Sequence, residues 1–157
     1  MYTELISIAR EIVASESNFI CNAANISSLL YTRMRDINWA GFYMLSHNHL
    51  LLGPFMGKPA CIQIAMGNGV CGKAAAIEKT CIVPDVNSFP GHIACDNASK
   101  SEIVIPLVKR DVLYGVMDVD SPILDRFQIS DKEGLEEIAE LLLEASDMES
   151  VLQYYNR

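Results

Sequence analysis

The chain lacks a basic stripe, a Cys-x-x-Cys pair, and any apolar run near the roughly 18 residues that a membrane span requires. With 12 Lys and Arg against 20 Asp and Glu, the formal net charge is −8. Nucleic acid and anionic membrane surfaces are therefore poor partners, because both are bound through clustered cations. The opening residues, Met1-Tyr2-Thr3-Glu4-Leu5, lack the basic-then-apolar order of a secretory signal. We read the chain as soluble and cytoplasmic. No internal repeat, linker or low-complexity stretch interrupts its 157 residues, a length that suits one domain with a sizeable core.

Cysteine is what the chain does have. Cys21, Cys61, Cys71, Cys81 and Cys95 make an odd count of 5, which argues against a secreted disulfide framework. Free cysteine most often packs as a small buried hydrophobe, and that reading is taken for Cys21 and favoured for Cys81. Cys95 lies in an aperiodic stretch from Val86 to Lys100, where a core hydrophobe is less expected and a displayed reactive group more so. Cys71 follows the turn Gly67-Asn68-Gly69 at an expected helix start, where free amides and the dipole favour a thiolate. A loop thiol with others in folding reach suits a nucleophile with a resolving partner. His92-x-x-Cys95 with Cys61 and Cys71 could form a Cys₃His zinc site, but without a second close pair that signal is weak, and no metal is assigned.

Periodicity places helices over residues 4–14 and about Phe19 to Arg35, then a strand from Trp39 to Leu45 and a return strand from Leu50. Short strands are expected over Ala60–Ile64 and Thr80–Val83, with a short helix opening near Cys71. Glu102–Val108 and Val112–Asp120 read as a hairpin around Arg110-Asp111. Ser130-x-x-Glu133 reads as a capping box before a last helix carrying Leu135 through Leu152. The order indicates an α+β domain with helices packed on one side of an antiparallel sheet.

Alternation puts Asp118 and Asp120 on one face with Val116 and Tyr114. Two aspartates there are costly if buried and trivial if exposed. A strict two-residue turn at Arg110-Asp111 would set Glu102 opposite Val119, on the wrong face to join them; either a bulge or a Glu102 still in the loop would be needed to bring the three together. Trp39, Gly41 and Tyr43 share a face, as core or as a pocket wall. The glycine turn lacks the Gly-Lys-Ser/Thr ending of a phosphate loop.

Several blocks then recur in order: Asp36-Ile37-Asn38-Trp39-Ala40-Gly41-Phe42-Tyr43, Leu52-Gly53-Pro54-Phe55, Gly57-Lys58-Pro59-Ala60-Cys61 and Gly69-Val70-Cys71-Gly72. Gly91-His92-Ile93-Ala94-Cys95-Asp96, Ser101-Glu102-Ile103-Val104-Ile105-Pro106-Leu107 and Gly115-Val116-Met117-Asp118-Val119-Asp120-Ser121 complete them. Together they resemble the free methionine-(R)-sulfoxide reductases, which are built on a GAF domain. The resemblance runs from about Phe19 to the last helix, so residues 1–157 read as a single GAF domain with its core over about 19–153.

The resemblance implies a six-stranded antiparallel sheet sandwiched by N- and C-terminal helices. It makes Cys95 the catalytic cysteine, Cys61 the principal resolving partner and Cys71 a participant in disulfide exchange. Glu102, Asp118 and Asp120 become the acids that bind substrate and assist protonation, and Trp39 and Tyr43 the pocket aromatics. The implied substrate is free methionine sulfoxide, the implied reductant thioredoxin, and no cofactor is called for. A homodimer is compatible with this and not specified by it. Ala65 stands where the family commonly has proline and Asn68 where lysine or arginine is frequent, which weakens the case for a strongly activated Cys71. The alternative function is a GAF module that binds a small ligand without turning it over.

Overall fold

The N-terminal pattern is built as its apolar spacing dictates. In a computed structural model, which describes residues 1–92 and 97–157, α1 (Tyr2–Val13) buries Leu5, Ala9 and Val13 on one stripe. The second helix, α2 (Phe19–Arg33), buries Phe19, Ala23, Ile26 and Leu30 and starts at Asn18, whose side chain accepts from the Cys21 N–H at 3.1 Å. It ends two residues before the expected Arg35, with Met34 already in extended conformation. Cys21 turns outward on this helix and is exposed, so the reading of it as a buried hydrophobe is wrong. It follows the periodicity: Phe19, Ala23 and Ile26 take the core face, and Cys21 falls outside it.

Six strands follow: β1 (Trp39–Ser46), β2 (His49–Gly57), β3 (Gln63–Ala65), β4 (Cys81–Val83), β5 (Ser101–Lys109) and β6 (Val112–Ser121). They form one antiparallel sheet in the order β3-β2-β1-β6-β5-β4. Helix α3 (Gly69–Ile77) lies between β3 and β4 in the chain, and the one-turn 3₁₀ segment Val86–Ser88 follows β4. The sheet is sandwiched by helices, with α1, α2 and the C-terminal pair α4 (Ile129–Ala145) and α5 (Met148–Tyr155) forming one layer. Helix α3 packs on the other face, against β5 and β6.

That division sorts the alternating residues of β1. Ala40, Phe42 and Met44 point into the larger core with Ile26, Leu30, Ile138 and Leu142. Trp39 and Tyr43 point into a smaller core with Val70, Cys71, Val104 and Val116. A strand covered on both faces cannot show the apolar-polar alternation of a half-exposed one, which is why β1 reads as a continuous apolar run.

Two C-terminal expectations are corrected. The capping box is set by Gln128 and Asp131, two residues before Ser130 and Glu133, because the Asp131 carboxylate is held inward by several donors at once. The last helix is two helices, broken at Ser146, with Asp147 accepting from the Ser150 N–H at 3.2 Å to start α5.

Candidate active site

The hairpin β5–β6 decides where the acids go. Its turn has two residues, Arg110 (φ 52°) and Asp111 (φ 63°), both left-handed, as a twisted two-residue hairpin needs. From Lys109 opposite Val112 and Val108 opposite Leu113, a strict ladder would set Glu102 against Val119. The register shifts instead: Leu107 faces Gly115, leaving Tyr114 unpaired as a bulge. Glu102 then faces Asp120 directly. The bulge also moves Tyr114 to the larger core, so it does not share the face of Val116 and Asp118.

Glu102, Asp118 and Asp120 thus share the α3 side of the sheet. They line a small cleft of about 40 Å³, together with Tyr43, Cys71 and His92. Glu102 is 8 % exposed and Asp118 5 %. One Asp118 oxygen, Oδ1, is buried without a hydrogen-bond partner among the described residues. An orphaned carboxylate oxygen is expensive in a folded protein and marks a place where something else binds.

Burial raises the pKa of both carboxyls, that of Asp118 well above the ordinary range, where the charges of Asp120 and Glu102 add to the effect. Cys71 sits at the third residue of α3, with its Sγ 3.7 Å from Glu102 Oε1. Its thiol is pushed up by burial and by the charges of Asp118, Glu102 and Asp120. The expected thiolate at this helix start is therefore not favoured: a helix dipole contributes about 0.3–1 kcal/mol, too little to offset burial beside carboxylates. Cys71 is a thiol that hydrogen-bonds an acid.

The aromatic wall forms as a stack. Trp39 and Phe55 lie 5.2 Å apart between ring centroids at 14°, and Trp39 and Tyr43 lie 5.9 Å apart at 23°. Trp39 Nε1 donates to the Lys58 carbonyl at 3.2 Å, and Tyr43 Oη donates to the Cys61 carbonyl at 2.8 Å. Burial first, then the nearby acids, holds the Tyr43 phenol far above its usual pKa, so it stays a donor. Tyr43 lines the cleft directly, while Trp39 fixes the Tyr43 ring from its other neighbours.

Cys61 is half-buried and disulfide-bonded, whereas Cys21, Cys71 and Cys81 are free thiols. The disulfide leaves Cys61 no thiolate for the weighed Cys₃His zinc site. Cys71, Glu102 and Asp118 do offer ligand atoms within 4.8 Å of one another. Cys95 lies outside the described residues. Cys81 is partly exposed on β4, with its thiol raised by burial. Sequence reasoning weighed His92 only as a metal ligand and passed over Ser99; both line the cleft. Their residue types alone gave no signal, since both sit in the aperiodic stretch.

Known proteins share this fold and much of the sequence. The GAF domain family matches residues 5–145. The free methionine-R-sulfoxide reductase of Escherichia coli is 48% identical over 137 residues, covering 87% of this chain and 83% of its own. That of Saccharomyces cerevisiae is 50% identical over 133 residues, covering 80% and 74%. The structure of free methionine-R-sulfoxide reductase from Neisseria meningitidis in complex with its substrate superposes with a TM-score of 0.90 at 37% identity, covering 98% and 91%. The chain belongs to the free methionine-R-sulfoxide reductases, oxidoreductases of the GAF-domain class.

Proposed function

We propose that this protein reduces free L-methionine-(R)-sulfoxide to methionine with Cys95 as nucleophile, in the cytoplasm and as a single GAF domain. The observation that carries the reading is the acidic cluster of buried Glu102 and Asp118 with half-buried Asp120, in which one Asp118 oxygen has no partner among the described residues and a thiol lies beside the acids. Such a cluster suits two tasks. Its charge pairs with the α-ammonium of a free amino acid, which methionine inside a peptide chain lacks. Burial and the neighbouring acids raise the carboxyl pKa values, which favours a protonated carboxyl able to donate to the sulfoxide oxygen. Tyr43, stacked on Trp39, offers an apolar face to the sulfur-bound methyl.

The reaction balances without a cofactor. The Cys95 thiolate attacks the sulfoxide sulfur while a carboxylic acid protonates the sulfoxide oxygen; that hydroxyl then passes from the substrate sulfur to the Cys95 sulfur as the bond between the two sulfurs breaks. Methionine leaves and Cys95 becomes a sulfenic acid. The Cys61 thiolate then attacks that sulfur, expelling water and forming a disulfide; the disulfide state of Cys61 supports this role. Cys71 is a second exchanger, and its neutral, acid-bound thiol suits a reserve thiol better than a primary attacker. Thioredoxin's dithiol reduces the disulfide and closes the cycle.

The test is turnover of R- and S-sulfoxides of free methionine with thioredoxin recycling. We expect turnover of the R form; turnover of neither would leave a ligand-binding GAF module as the reading. Cys95→Ser should abolish activity. Cys61→Ser should form one equivalent of methionine per protein and stop, as read by a single-turnover assay. A fully active Cys95→Ser protein would remove Cys95 from its place.

A further inference from the structure

The cleft holds a thiol among its acids, and ammonium binding does not call for one. Cys71 Sγ, a Glu102 oxygen and an Asp118 oxygen lie within 4.8 Å of one another, and all three residues are buried. They come from α3, β5 and β6, so the fold brings three separate elements to one point. One thiol with two carboxylates is a ligand set for a borderline-soft divalent cation. Such an ion would offset most of the negative charge that the three groups carry once ionised.

The spacing suits a small ion. Tetrahedral zinc, with sulfur at about 2.3 Å and oxygen at about 2.0 Å, sets its ligand atoms about 3.3–3.5 Å apart. Cys71 Sγ already lies 3.7 Å from Glu102 Oε1. The other pairs would close by no more than about 1.5 Å from the 4.8 Å limit. The cleft of about 40 Å³ has room for about three water-sized spheres, enough for the ion and a water in its fourth position. An amino acid needs the cleft to widen, since ligand pockets run to about 300 Å³ or more. A second observation stands apart from the spacing. Asp118, 5 % exposed, lines the cleft with its Oδ1 buried and without a hydrogen-bond partner among the described residues. A buried carboxylate oxygen in that state is an acceptor that a cation satisfies.

We propose that Cys71, Glu102 and Asp118 form a zinc site, which when filled shuts free methionine sulfoxide out of the cleft. The metal site itself needs no part of the reductase reading. The exclusion rests on that reading, because the ion takes carboxylates assigned to the substrate's ammonium. Binding releases the Cys71 thiol proton to solvent, so that the ion meets a thiolate, and no electron moves. Magnesium and calcium take oxygen ligands and gain nothing from the thiol, so the site selects against them. Zinc also ties up Cys71 while bound, which withdraws that thiol from disulfide exchange.

The test uses the full chain with its Cys61 disulfide intact, so that Cys61 offers no thiolate, and Co²⁺ as a coloured substitute for Zn²⁺. We expect one Co²⁺ per chain with a sulfur-to-cobalt charge-transfer band in the near ultraviolet, lost on adding Zn²⁺ and kept in excess Mg²⁺. Cys71→Ala should abolish the band, and Asp118→Asn should raise the Kd for Zn²⁺ about tenfold or more. Cys21→Ser with Cys81→Ser should keep the band, since those free thiols lie outside the group. L-methionine-(R)-sulfoxide at about ten times its own Kd should raise the apparent Kd for Zn²⁺ about tenfold. Glycine at the same concentration, which chelates metal through the same amine and carboxylate, is the control. No charge-transfer band on the unaltered protein, or one that survives Cys71→Ala, would overturn the site. A Zn²⁺ Kd that the sulfoxide leaves at the glycine value would overturn the exclusion if the same preparation, once reduced, turns over the R-sulfoxide. Absence of that turnover would instead overturn the reductase reading and leave the metal site standing.

Discussion

Asp118 is held where a carboxylate is least stable: buried, beside Glu102 and Asp120, with no partner for Oδ1 among the described residues. In the unfolded chain it ionises near the ordinary value of about 3.9. In the fold, burial and its acidic neighbours raise that value well above the ordinary range. The native state therefore holds the proton over a pH range in which the unfolded chain has released it. For a raised carboxyl the contribution to stability is whole below the unfolded pKa and is lost as pH rises toward the folded one. Asp118→Asn removes that loss. We expect its urea midpoint to change little at pH 4 and to correspond to about 1–2 kcal/mol of added stability at pH 8, with turnover reduced about 100-fold or more. A variant less stable than the unaltered protein at both pH values would show that the carboxyl is structural. The pH dependence of Glu102 has the same sign, from burial chiefly, so Glu102→Gln should flatten the same slope.

The cluster itself exists because of one irregularity in β6. Much of this hairpin was legible in the sequence: its two strands, its Arg110-Asp111 turn, and the alternation that sets Asp118 and Asp120 on one face. What could not be read was the extra residue at Tyr114, because a bulge is chosen by how both faces of the finished sheet pack. The chain cue was Gly115. A Cβ there would collide with the Tyr43 carbonyl of β1, so the bulged strand can lie against β1 only with glycine in place. Gly115→Ala should cost about 2–3 kcal/mol in chemical denaturation and weaken substrate binding as well, since β1 carries Tyr43. By contrast, the turn is improvable. Arg110 and Asp111 occupy left-handed conformations that Asn and Gly adopt at lower cost. Arg110→Asn with Asp111→Gly should add about 1 kcal/mol without altering KM, measured by thermal unfolding and turnover. The displaced capping box has a similar cause to the bulge. Ser130 and Glu133 fit the local pattern as well as Gln128 and Asp131 do, and only the contacts made elsewhere by Asp131 choose between them. Cys71 was misjudged as a thiolate for the converse reason: its helix position was visible, and the acids packed on it were not.

At the scale of the molecule, the helical layer packs on one face of β1, β5 and β6, and its ends are joined through Asp131. Its Oδ1 accepts from Tyr2 Oη at 2.7 Å, tying α1 to α4. Arg126 Nη1 reaches both its carboxylate oxygens at 3.3 Å, while Arg126 Nε donates to the Arg35 carbonyl at 2.9 Å, just beyond α2. Asp131 also accepts from the Gln128 N–H at 2.7 Å, which starts α4. The Tyr2 ring lies over Gly134, where a Cβ would strike it, so at that point only the Tyr2 side chain stands between α1 and α4. Asp131 is 3 % exposed and Arg126 is largely covered, and breaking such a pair from one side leaves the other charge in a poor solvent. Asp131→Ala should therefore cost about 3–5 kcal/mol, more than any exposed ion pair of this protein. Tyr2→Phe should cost about 1 kcal/mol, the worth of one hydrogen bond. If Asp131 acts as the common node, the double variant Tyr2→Phe with Asp131→Ala will cost no more than Asp131→Ala alone, because the phenol's partner has already gone. Additive losses would mean that the two ends of the helical layer are held independently. The acidic cleft on the opposite face would then not depend on Asp131 for its register.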